Sequence, residues 1–130
     1  MQKRPQLAGI FLLRCPYCLQ SSLRKPGSWF EFAEGCPVCH YRYDREAGYF
    51  WGAPWMINYP LVGIICLIGA VYLYPRVGPS IGMLGLAALL SGLAIVSALF
   101  LYPYARAIWL VGDHWLHPLS PNEIDYGSPR

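Results

Sequence analysis

Charge is missing from two long stretches of this chain. No Asp, Glu, Lys or Arg stands between Glu46 and Arg76, or between Arg76 and Arg106, so two runs of 29 residues are separated by one arginine. A hydrocarbon layer about 30 Å thick takes about 20 apolar residues in helical form. Each run is long enough to cross it. Composition agrees: 13% of residues are charged and 55% hydrophobic, where an ordinary soluble domain has about 25% charged.

Within these runs the sequence predicts spans at residues 56–74 and 81–102. Nineteen residues at 56–74 give about 28 Å of helix at ~1.5 Å per residue. Between the spans, 75–79 reads Pro-Arg-Val-Gly-Pro, a turn signal that predicts two antiparallel helices. Tyr49, Phe50, Trp51, Trp55 and Tyr59 precede the first span, Tyr72 and Tyr74 close it, and Tyr102, Tyr104 and Trp109 follow the second. Amphipathic rings favour the headgroup level, so these read as aromatic belts. The second span is rich in small residues, including Gly82, Gly85, Ala88, Ser91 and Gly92, which allow close helix approach in lipid.

The chemistry lies in the cysteines. Cys15-Pro-Tyr-Cys18 and Cys36-Pro-Val-Cys39 are two C-x-x-C pairs with seventeen residues between them, a spacing typical of zinc sites. Each pair aims two thiolates at one ion, and two pairs complete a tetrahedron. The segment between them carries a turn at 25–28 and an aromatic, strand-like stretch at 29–32, and 41–43 suggests a further strand. A head of about fifty residues is too small for a sufficient core, so a metal staple is expected. Three readings stay open at Cys15, Cys18, Cys36 and Cys39. A structural zinc site leads. A rubredoxin-like iron centre and a redox-active C-x-x-C follow, the last lacking its usual βαβ context.

The predicted fold class is therefore a membrane α-helical hairpin of two transmembrane helices with a small N-terminal zinc-ribbon-like β domain. Residues 1–48 form the head, 49–110 the two-span hairpin, and 111–130 an interfacial segment and tail, extended or disordered after Ser120. The short apolar run at 7–13 is ended by Arg14 with no small-residue cleavage site behind it, and reads as part of the mature chain rather than a signal peptide. Nine of ten Lys and Arg residues fall in 1–45 or after 105, which places both termini in the cytoplasm by the positive-inside rule. Cys66 in the first span reads as an inert small hydrophobe. Asp113, His114 and His117 suggest a metal or haem site at helical spacing, but we read the histidines as an interfacial pair flanking Trp115. Neither span holds an ionisable residue of the kind that marks ion or proton pathways. No catalytic constellation, phosphate-binding glycine loop or open metal site is visible, so neither an enzyme nor a small-molecule substrate is expected. A net charge of +3 is too mild to point to nucleic acid.

The chain resembles a family of short bacterial membrane proteins described only as a domain of unknown function. The resemblance rests on Cys15-Pro-Tyr-Cys18, Cys36-Pro-Val-Cys39, the run Tyr43-Asp-Arg-Glu-Ala-Gly-Tyr-Phe-Trp-Gly-Ala53, and Arg106-Ala-Ile-Trp109. His40 stands where that family usually has glycine. The resemblance implies a bacterial inner-membrane protein. Through members encoded near cytochrome oxidase genes, it also implies a role in the structure or assembly of a respiratory complex. The expected function is a non-catalytic accessory subunit of such a complex, docking through its helices. An assembly factor or metallochaperone, an iron electron carrier, and an accessory subunit of a photosynthetic complex are the alternatives.

Overall fold

A computed structural model describes residues 5–44 and 48–118. The tail after Ser120, and Arg45, Glu46 and Ala47 of the run at 43–53, lie outside the described residues. Helix α1 spans Ala8–Leu12 and helix α2 spans Tyr59–Leu116. A 3₁₀ turn at Tyr49–Trp51 and a π-helical turn at Pro54–Asn58 lead into α2, so helical backbone extends over Tyr49–Leu116. This stretch is long and apolar enough to cross a membrane.

The predicted fold class is corrected on both counts. In place of two helices at 56–74 and 81–102 joined by a turn at 75–79, one helix continues through Pro75 and Pro79. In place of a β domain, the described residues contain no strand, only isolated antiparallel bridges pairing Arg14 with Ser22, Arg24 with Phe32, and Gly35 with Arg42. The prolines mislead because a proline φ near −65° is itself helical, and only its missing N–H is lost. Apolar surroundings favour keeping the remaining backbone bonds within the helix. Polar side chains also bond back to the helix here. Arg76 donates to the Tyr72 carbonyl at 2.9 Å and Ser80 to the Val77 carbonyl at 2.9 Å.

Helix α2 is bent at a single residue. Gly82 has φ +69° and ψ 178°, a combination open essentially to glycine alone. The bend lays one limb against the other. Asn58 Nδ2 donates to the Ala98 carbonyl at 3.2 Å, and Cys66 Sγ lies 4.0 Å from the Leu90 carbonyl. In a straight helix, residues 58 and 98 would stand about 60 Å apart. Gly69 permits the close approach, since a Cβ there would meet Leu93 Cδ2 at 2.8 Å.

The head is a chain of tight turns. Leu23 donates to the Leu13 carbonyl and Ala33 to the Leu23 carbonyl, each at 2.9 Å, which sets three segments side by side. Each pairing stops after one bridge because a knuckle or a Pro-Gly turn reverses the chain. The aromatic residues expected to form a strand at 29–32 are used instead against α2 and the 3₁₀ turn that precedes it. Phe32 packs edge-on to Phe50, and Phe30 edge-on to Tyr102. The buried cluster of Leu13, Tyr17, Leu23, Phe32, Tyr41 and Tyr43 is completed by Phe50, Ala107 and Leu110. The head's core is thus closed by the far end of the chain.

Two further contacts fix the head to the second limb. Arg106 donates to the Phe30 carbonyl at 2.6 Å, with its guanidinium 4.7 Å from the Phe50 ring centre. The Trp29 indole N–H donates to the Leu99 carbonyl at 3.1 Å. That carbonyl would ordinarily accept from residue 103, but Pro103 has no N–H. Trp29 therefore supplies the bond that Pro103 withholds.

Candidate metal centre

The two C-x-x-C pairs form matching knuckles. In each, the amide following the second cysteine returns to the carbonyl of the first: Leu19 to Cys15 at 2.8 Å and His40 to Cys36 at 3.0 Å. Both closing residues are left-handed, Leu19 at φ +58° and His40 at φ +56°. This is the region that costs side-chain-bearing residues energy and glycine almost none. It explains on geometric grounds why glycine suits the position of His40.

The knuckles bring Cys15, Cys18, Cys36 and Cys39 together, and all four Sγ atoms lie within 4.8 Å of one another. Cys15 and Cys39 are 3.6 Å apart, as are Cys18 and Cys36. A tetrahedral site with Zn–S bonds of about 2.3 Å has sulfur–sulfur edges of about 3.8 Å. A disulfide requires about 2.05 Å. The four thiols therefore have the spacing of a metal cage, and the site can hold a metal ion. Among the described residues it is the one such cluster.

The surroundings prepare the sulfurs unequally. Burial raises the Cys36 thiol, but the Ser21 hydroxyl at 2.9 Å and the amides of Cys39 and Val38, each at 3.4 Å, outweigh it and lower the pKa to about 6. Burial pushes the Cys15 and Cys39 thiols up, and neighbouring cysteines add to the effect. A metal entering this cage finds one ready thiolate and displaces protons from others. Burial likewise keeps Tyr17 and Tyr43 as neutral phenols.

The cage is wired to α2. Tyr17 stands between the ligand positions Cys15 and Cys18, and its hydroxyl lies 2.8 Å from His114 Nδ1. Its ring stacks on Tyr41 with centroids 3.4 Å apart. Tyr49 donates to Asp113 at 2.6 Å, and Asp113 pairs with His117 at 3.4 Å. His114 is 2% exposed. The two histidines are thus separated in role: His114 is buried beneath the first knuckle, while His117 sits at the exposed end of the helix. Sequence reasoning missed this Tyr17–His114 link, for which the only sequence signal is a tyrosine placed inside a C-x-x-C pair.

A family model described as "Protein of unknown function (DUF983)" matches residues 27–115. The chain belongs to this family. The matched region of this DUF983 protein takes in the second knuckle and the bent helix up to Trp115, His114 included, and begins after the first knuckle. No curated protein and no solved structure matches the chain.

Proposed function

We propose that this DUF983 protein is a non-catalytic accessory subunit of a larger complex in the bacterial inner membrane, with structural zinc in its head. The observation that carries the proposal is the closed donor set joined to the helix. Four cysteine sulfurs lie within 4.8 Å of one another, and the tyrosine between two of them bonds to His114 of α2. A site with four protein ligands has no position left for substrate, and such sites are structural. Zinc suits a tetrahedral thiolate set in a cytoplasmic head, where thiols stay reduced. The helix limbs support docking within a membrane: Ile64, Leu67, Ile68, Val71, Ile95, Val96 and Leu99 are exposed apolar residues, and no Asp, Glu, Lys or Arg interrupts the runs at 47–75 and 77–105. We place both termini in the cytoplasm and take the partner to be respiratory, of cytochrome oxidase type.

The test is a mild-detergent pull-down from native membranes with partner identification and elemental analysis of the same eluate. Stoichiometric recovery with a respiratory complex and about one zinc per chain is the expected result. Recovery as a lone stable species would overturn the subunit reading, transient partners would replace it with an assembly factor, and iron in the eluate would make the head an electron carrier.

A further inference from the structure

The turn between the two knuckles forms a second site. Ser22, Arg24, Lys25, Ser28 and Trp29 line a cleft of about 560 Å³ that, among the described residues, has no carboxylate in its wall. Its polar groups are donors. The Ser22 hydroxyl oxygen accepts the Arg24 amide and the Ser28 oxygen accepts the Glu31 amide, both at 3.1 Å, which leaves the two O–H bonds to donate. The Arg24 guanidinium is held 4.5 Å over the Trp29 ring, and its Nε is buried with no protein acceptor. Lys25 reaches Glu31 at 3.5 Å, but both side chains are at least half exposed, and such pairs are weak. Two cations and two hydroxyls around one space suit an oxygen-rich anion of the phosphate type.

The depth of the cleft selects the source of that anion. Trp29 is bonded to the Leu99 carbonyl and its ring centre lies 6.2 Å from that of Phe100. These residues stand at the end of the charge-free run that closes at Ala105, which in a bilayer is the headgroup level, where tryptophan is favoured. We propose that the turn at 22–29 binds the phosphate of an anionic phospholipid headgroup and so fastens the head to the membrane surface. This rests on the reading of the bent helix as embedded in a bilayer.

The test uses the full metal-loaded chain in mild detergent, titrated with phosphatidylglycerol or phosphatidylcholine and read by native mass spectrometry. A basic residue near an anionic membrane contributes about fivefold in affinity. Arg24→Gln with Lys25→Gln should therefore weaken phosphatidylglycerol retention about thirtyfold and leave phosphatidylcholine unchanged. Lys25→Gln alone, at an exposed side chain, should weaken it about fivefold without touching the fold. Arg76→Gln, far from the cleft, should have no effect. Equal retention of the two lipids by the native chain, or unchanged phosphatidylglycerol retention in the double variant, overturns the proposal. Displacement of the lipid by inorganic phosphate at equal concentration also overturns it, making the cleft a site for soluble phosphate. Release of the chain from native membranes by alkaline carbonate would instead defeat the bilayer reading itself.

Discussion

Replacing Trp29 by phenylalanine removes one hydrogen atom that the helix needs. The ring remains to pack near Phe100 and to carry the Arg24 guanidinium, but the donor to the Leu99 carbonyl at 3.1 Å is gone. Pro103 offers no N–H in its place. A hydrogen bond contributes about 1 kcal/mol net, and a buried acceptor left without a partner costs about 1–3 kcal/mol. Trp29 is half-buried but Leu99 is 51% exposed, so the acceptor finds other partners and we expect about 1 kcal/mol of destabilisation. The decisive comparison adds Pro103→Ala, which restores a backbone N–H four residues after Leu99. In that background Trp29→Phe should be nearly silent, giving a coupling of about 1 kcal/mol between positions that are 74 residues apart in the chain. Pro103 is buried, so Pro103→Ala alone shifts stability by packing too, and the cycle cancels that contribution. The assay is denaturant unfolding of the four variants in one detergent. Equal effects of Trp29→Phe in both backgrounds would refute the reasoning.

Three other changes probe the knuckles and the bend. His40→Gly relieves a left-handed residue at φ +56° and should slow metal loss to a chromogenic chelator, reflecting about 1 kcal/mol of relieved strain; faster loss would count against the knuckle geometry. Gly82→Ala forces a side chain into φ +69°, ψ 178° and should cost about 1–3 kcal/mol of stability in the same unfolding assay; an unchanged midpoint would mean that the bend does not depend on this residue. Metal affinity should fall as pH falls, because metal displaces thiol protons. Cys36 is lowered to about 6, so above that pH it is already a thiolate, and below it one more proton competes. A plot of log affinity against pH should therefore steepen by about one below pH 6, and Ser21→Ala, which removes a hydroxyl from Cys36, should move that break upward.

The clustering of the four cysteines and the apolar character of 47–105 were legible because each depends on local information: spacing in one case, missing charge in the other. The helix boundaries were not. Pro75 and Pro79 look like a turn, yet a helix accepts their φ, and the break falls at Gly82, one of several glycines that nothing in the sequence sets apart. The expected strands failed for a related reason. Residues 29–32 have strand-like composition, but their aromatic rings found partners at Phe50 of the 3₁₀ turn and at Phe100 and Tyr102 of α2 rather than across a ladder. The links from Tyr17 to His114, Trp29 to Leu99 and Arg106 to Phe30 each span 70 residues or more, and no local pattern encodes a contact at such a distance.

The Tyr17–His114 contact also sets a timetable. The two residues are separated by 97 positions, which a ribosome working at about 5–20 residues per second crosses in roughly 5–20 s. Until then the first knuckle has been made but the helix end that covers it has not. Ala107 and Leu110, which close the head's core, arrive only shortly before His114. The newborn head therefore waits for the residues that complete its core while the entire apolar helix is synthesised. Completion of the core around the four cysteines is among the last events in the making of this protein.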